Sequence, residues 1–352
     1  MSQTTNNAIV NGVTYMSFND PNGGTTSIQG IRGVTDSENV YLAGSLSGTD
    51  GTTVYGLIYE GPIANEGKSG NWYQYAYPGD NVINTSCYGP NNGPNGTIQV
   101  VGSYKTTESV ENKQGETSNA IGAMGFLYQG PVNGTGGEWI TLHPHDDHTL
   151  NCYTHSTMGG LVVGCYDVRH TTNGHSFIYD IATKVCVEFK VEGSFITSVY
   201  GIWHNGGNSY TLAGGYTVIE DGTVQGFIAD YDSATKKTSN LKGYTHPPAN
   251  GKSSMTHFQG ITGATGNGYN LPAGWVGINE DGIEHASFVH IPRNTDGTFG
   301  DATWVDLIYP SSTGSNIKCI TLATSADKNN ITGIYIDGAA SPSVTFSYIA
   351  TV

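Results

Sequence analysis

The side chains best suited to chemistry lie in short, spaced groups rather than in one compact motif. His257 and Lys318 occupy matching places in two successive stretches, and Tyr88, Tyr153 and Tyr200 occupy another shared place in three earlier ones. Imidazole, ammonium and phenol groups exchange protons once burial and neighbours bring their pKa values near neutrality. A Lys ammonium or Tyr hydroxyl can also hold a developing oxyanion while His257 moves the proton. This set predicts acid–base chemistry without an organic cofactor: a lyase, isomerase or cyclase acting on a small, largely uncharged molecule. Beside these groups, Gln29, Gln259, Asn151, Ser86 and Ser198 would supply hydrogen bonds to such a substrate.

Other groups compete for the same role. His143-Pro144-His145-Asp146-Asp147-His148 is the densest set of metal-ligand types, and His143, His145 and His148 suit zinc or another divalent ion. The opposing reading is an exposed loop, because Pro144 stiffens it and consecutive residues rarely furnish a whole coordination sphere. His246, in YTHPP, reads as an exposed loop histidine, and His155 and His204 are expected at the far face, away from any site. Glycoside hydrolysis needs two carboxylates roughly 5–10 Å apart. The aligned strand positions contain neither Asp nor Glu, so loop residues such as Asp80 or Asp146 would have to supply both. Neither a GxSxG elbow nor a Gly-rich phosphate loop between strand and helix is present.

The elements that must position these groups are repeated. A small-Gly-aromatic segment recurs as YLAGS, VVGSY, VVGCY, TLAGGY, PAGWV and ITGIY. Each is followed by a second segment, as in YGLIYEG, MGFLYQG and HSFIYDI, and preceded by a third, as in SIQGI, SCYGP and SVYGI. Aligning the preceding segments on Gly30, Gly89, Thr154, Gly201, Gly260 and Thr321 places the candidate residues one and three positions earlier. A fourth strand, usually marked by an aromatic, closes each unit except the last, and GVTYMSFNDP (12–21) supplies the missing piece. The pattern predicts an all-β chain forming a single domain over 1–352. It is expected to be a six-bladed β-propeller whose last blade is closed by the N-terminal strand. Alternation along the inner strands would then put the polar groups around a central channel.

The segments His175-Ser176-Phe177-Ile178-Tyr179-Asp180 and His285-Ala286-Ser287-Phe288 resemble the HAF repeats, named for a His-Ala-Phe element. That resemblance implies a propeller-like fold and no particular activity, and it makes His175 and His285 scaffold residues.

Composition narrows the partners. Fourteen basic against 29 acidic residues give a net charge of −15, which disfavours nucleic acid and anionic membrane surfaces. Five cysteines without a CxxC pair, and no leader-like start, point to a cytoplasmic protein without a disulfide framework. A small-molecule substrate is expected and no cofactor beyond a possible divalent metal. The competing readings are a lectin-like carbohydrate-binding propeller, for which 22 Tyr and five Trp offer stacking surfaces, and a protein-interaction scaffold.

Overall fold

The computed structural model describes residues 8–48, 52–107, 110–111, 117–118, 122–144, 149–168, 174–247, 253–278, 282–310, 320–337 and 344–352. The chain is all-β and builds a β-propeller, with two single-turn 3-10 segments, Asn65–Gly67 and Pro94–Gly96, between described strands.

The antiparallel ladder repeats along the chain. The first unit runs through Thr26–Gly33, Val40–Ser47, Val54–Gly61 and Asn71–Tyr75. The second uses Val82–Asn92, Ile98–Thr106, Ala123–Gly130 and Glu138–Leu142. Thr149–Met158, Leu161–Val168, Gly174–Asp180 and Val185–Phe189 form the third. Next come Ser194–Gly206, Ser209–Val218, Val224–Asp232 and Lys237–Tyr244. In the fifth the first strand is interrupted, as Ser253–Phe258 and Thr262–Gly263, ahead of Tyr269–Gly277, His285–Ile291 and Thr303–Leu307. Last, Ile320–Asp327, Asn330–Asp337 and Val344–Thr351 are joined by Val13–Ser17, which pairs with Val344–Thr351 and forms a hairpin with Ala8–Val10. Single parallel bridges, Val54 to Asn84 and Val224 to Met255, tie the first unit to the second and the fourth to the fifth.

Burial explains the strand types. Second strands are covered on both faces, so Ile98–Thr106 and Tyr269–Gly277 are nearly continuous runs of buried residues. Fourth strands are half-exposed, with one buried anchor at the end, as Tyr75, Leu142, Phe189 and Leu307 show. Apolar clusters fill the gaps between neighbouring units. One holds Tyr41, Ile58, Cys87, Val100 and Tyr128, and another, with Phe18, Ile28, Leu42, Tyr59 and Ile349, joins the last unit to the first. Each such fully buried side chain contributes about 2 kcal/mol of transfer free energy.

A threonine pins five of the joints between units. The hydroxyls of Thr26, Thr85, Thr197, Thr256 and Thr321 accept the backbone N–H of Asp20, Tyr77, Val191, His246 and Tyr309, at 2.9–3.1 Å. The next feature is a bulge in the first strand, at Gln29, Tyr88, His155, Tyr200 and Thr324. It drives a carbonyl onto the neighbouring strand. A Cβ on Gly44, Gly102, Gly164, Gly214 or Gly333 would collide with the carbonyl of Ser27, Ser86, Tyr153, Ser198 or Leu322. The repeated small-Gly-aromatic segment is therefore a backbone-on-backbone contact, which only glycine permits.

Candidate active site

These landmarks correct the expected register in two units. The residues equivalent to Gly30, Gly89, Gly201 and Gly260 are Ser156 and Ser325, not Thr154 and Thr321, because the bulges stand at His155 and Thr324. Thr321 takes the place of Thr85 and Thr256, four positions earlier. The deep ring of the channel is consequently Gln29, Tyr88, His155, Tyr200 and Gln259, all of which line one narrow cavity. The expectation that His155 lies at the far face, away from any site, is overturned. Tyr153 moves outward to the level of Ser86, Ser198 and His257, with Asn151 above it. Lys318, His145 and His148 lie outside the described residues, as does Asp146.

Aromatic edges meet along one side of this ring. His155 sits between Tyr88 and Tyr200, with ring centroids 5.7 and 4.6 Å away, and Tyr153 stacks on it at 6.5 Å. Tyr200 meets His257 at 5.9 Å. Polar ends are tied back to the walls. Tyr88 Oη shares a hydrogen bond with Ser103 Oγ at 2.8 Å, Gln29 Nε2 donates to Ser27 Oγ at 3.0 Å, and His155 Nε2 lies 3.3 Å from Cys165 Sγ.

Burial moves these groups away from acid–base work. It pushes the Tyr88 and Tyr200 phenols up to about 12 and the His155 imidazole down to about 4. Tyr153 is raised by burial and then by the nearby Asp167 carboxylate. Near neutral pH the deep ring is therefore a set of uncharged hydrogen-bonding and stacking groups. The proton-exchanging role expected for the three tyrosines is not what their surroundings favour.

Two carboxylates flank the ring, both missed by reading the inner strands alone. Asp167, near the end of Leu161–Val168, accepts a hydrogen bond from Asn151 Nδ2 at 3.3 Å, while Asn151 Oδ1 accepts the Ala123 N–H at 3.0 Å. Glu284, just ahead of His285–Ile291, places Oε1 3.3 Å from His257 Nε2. The same imidazole nitrogen is 2.6 Å from Gln259 Nε2. One nitrogen cannot both accept from Gln259 and donate to Glu284, so its proton occupancy selects which neighbour it serves. Gly274 makes room for this pair: a Cβ there would meet Glu284 Oε1 and lie 2.8 Å from His257 Nε2. Nothing in the segment PAGWV marked Glu284: its glycine matches its counterparts in sequence and differs only in facing side chains where they face a carbonyl.

The remaining histidines are structural or apart. His246 is buried rather than exposed: it stacks on Trp275 at 3.9 Å and 4°, as Tyr77 stacks on Tyr104 and Tyr309 on Tyr335. Its Nε2 meets Asp306 Oδ1 at 2.9 Å. Burial opposes charge on Asp306, yet hydrogen bonds from His246 and Ser287 hold its carboxyl below the usual range. His175 and His285 open equivalent third strands and stack on Tyr166 and Trp275 at 5.1 and 4.5 Å. His143 is exposed beside an open cleft of about 220 Å³ that includes Pro144, Tyr179, Lys184 and Cys186. Among the described residues no group of three or more His, Cys, Asp or Glu could hold a metal ion. Nor, among them, is any helix long and apolar enough to cross a membrane.

No family model matches the chain, and no curated protein matches it. Solved structures do. The NanB sialidase from Streptococcus pneumoniae is 8% identical over 93% of this chain and 68% of its own, with a TM-score of 0.52. A Hadza microbial sialidase is 11% identical over 93% and 65%, with a TM-score of 0.53. Bacillus subtilis arabinanase, 11% identical over 94% and 95%, aligns at only 0.41, too distant to carry an argument. At such identities the likeness establishes the propeller fold. The expectation of a lyase, isomerase or cyclase is corrected: the solved propellers it resembles are named for carbohydrate processing. Locally, burial has carried the tyrosines away from neutrality, and the group beside His257 is a carboxylate.

Proposed function

We propose that this chain is a six-bladed propeller, closed by pairing Val13–Ser17 with Val344–Thr351, that processes a neutral carbohydrate at one mouth of its channel. The observation that carries the reading is the Glu284–His257 pair, set in the cleared space over Gly274 beside a ring of neutral aromatic and amide groups. Aromatic faces stack on the apolar faces of sugars, and the amides of Gln29, Gln259 and Asn151 suit hydroxyl recognition. The shortage of basic residues, 14 in all, argues for an uncharged glycan. Names of the structures alike in fold, both sialidases, support carbohydrate as the substrate class.

In this reading Glu284, whose Oε1 stands 3.3 Å from His257 Nε2, protonates the departing glycosidic oxygen. Asp167, in the third unit, serves the water that replaces it. Tyr88, Tyr153 and Tyr200, with Ser86 and Ser198, bind and orient the sugar. The equivalent places of His175 and His285 support an HAF-like repeat, which remains a statement about scaffold.

A panel of neutral aryl glycosides and oligosaccharides tests this. Hydrolysis by the wild type should fall by ~10²–10⁴ in Glu284→Gln and Asp167→Asn with unchanged folding. Saturable binding without turnover would leave a carbohydrate-binding propeller, and full activity in both variants would overturn the site.

A further inference from the structure

Beside the deep ring stands a thiol with no part in the chemistry described so far. Cys165 lies two residues ahead of Asp167 on Leu161–Val168, so both side chains leave the same face of that strand. Its Sγ is 3.3 Å from His155 Nε2. The His155 ring keeps a partly exposed face on the cavity it shares with Gln29 and Gln259. Among the described residues no hydrogen-bond partner is placed on its Nδ1.

A gap of 3.3 Å holds one proton, not two. Either Sγ–H donates to a bare Nε2, or Nε2–H donates to sulfur, and the choice fixes what the far side of the ring offers. Burial, reinforced by the Asp167 carboxylate, pushes the thiol up to about 12, so it keeps its proton at neutral pH. Burial holds the imidazole near 4, so it carries one N–H and one bare nitrogen. The thiol proton has no other acceptor among the described residues. Sulfur is a weak acceptor, whereas a bare imidazole nitrogen is a good one. Donation from sulfur therefore matches the pair, and leaves the N–H at Nδ1.

We propose that Cys165 is a positioning residue that fixes His155 as its Nδ1–H tautomer, so that the imidazole presents a hydrogen-bond donor to the channel. Its role in substrate binding rests on the carbohydrate reading above: the donor then meets a sugar hydroxyl oxygen beside the amides of Gln29 and Gln259. Cys165 acts through His155 alone and takes no covalent part.

NMR of the full chain labelled with nitrogen-15 histidine reads the tautomer without any substrate. Long-range proton–nitrogen correlation at pH 7, with His155 identified by the signals lost in His155→Gln, should show a protonated Nδ1 and a bare Nε2. Cys165→Ala should lose that single form and populate Nε2–H. An unchanged spectrum in Cys165→Ala overturns the proposal. Should that variant fail to fold, the wild type decides alone: Nε2–H, or a mixture of both forms, overturns it equally. On glycosides that the wild type hydrolyses, Cys165→Ala should raise KM about 5-fold, the worth of one hydrogen bond, with kcat little changed. A fall in kcat at unchanged KM would overturn the binding role. A panel with no turnover at all sinks the carbohydrate reading and leaves the tautomer to be judged by its spectrum.

Discussion

The two ends of the channel solve the same problem in opposite ways. At the floor, Arg32 is buried against the ring of Trp203, and neighbouring units are stitched together: Asn92 Nδ2 donates to Gly33 O, Asn270 Nδ2 to Lys328 O, and Tyr269 Oη to Asn205 Oδ1, each at 2.8–2.9 Å. At the mouth, the Glu284–His257 pair is partly open, with Glu284 at 30% side-chain exposure and His257 at 14%. One His257 nitrogen there faces two partners that it cannot satisfy together. An end stitched from unit to unit holds the ring in register, whereas an end where one nitrogen faces two partners is suited to moving a proton. Chemistry is expected where the repeat is least uniform.

The largest effect should come from removing the mouth's carboxylate. Glu284→Gln is expected to cut glycoside turnover by ~10²–10⁴ while calorimetry records an unaltered unfolding midpoint, because the amide keeps the side chain's shape and a polar neighbour for His257. Paired glycine substitutions sharpen the contrast. Gly102→Ala drives a methyl into the Ser86 carbonyl, which is backbone and cannot step aside, and should cost about 3 kcal/mol in denaturant unfolding. Gly274→Ala meets only the movable ends of Glu284 and His257, so it should cost less than about 1 kcal/mol yet remove most activity. Equal losses of stability in the two variants would erase the distinction drawn between them.

Acid should act through the deep ring. His155 has a folded pKa near 4 against 6.5 for an unperturbed imidazole, so the unfolded chain binds the extra proton first. Its contribution is complete above pH 6.5 and is lost as pH falls from there towards 4. The loss reaches at most ~3 kcal/mol, and less to the extent that channel water solvates the ring. Following the unfolding midpoint from pH 7 to 4 should reveal this slope, flattened in His155→Gln. The smallest change is expected at a joint: Thr85→Ala strips the acceptor from the Tyr77 N–H and should cost about 1 kcal/mol.

Much of the fold was legible because the second strands carry their glycines for one steric reason, repeated along the chain. The register of the inner strands was harder. In the third unit Cys152 replaces the joint threonine, and in the last Ser325 replaces the glycine, so an alignment on Gly or Thr slid by two and by four residues. The more consistent mark was the threonine three places ahead of the bulge position, visible as TSIQG, TSCYG, TSVYG, THFQG and TLATS. His257, Tyr88 and Tyr200 could be read from the inner strands. Asp167 and Glu284 could not, because they sit on a second strand and ahead of a third and reach the axis only through tertiary arrangement. His155 and His246 were misplaced for a related reason: sequence records their type but not whether a neighbouring unit will cover them.

The two parallel bridges described above are single residue pairs, one from the first unit to the second and one from the fourth to the fifth, and among the described residues no longer backbone ladder runs from unit to unit. Neighbouring units are therefore held chiefly by the apolar seams between them. Asp167 stands on the third unit and Glu284 on the fifth. The gap between the two carboxylates is then set by how those seams are filled, so that a core substitution that touches neither residue can retune it.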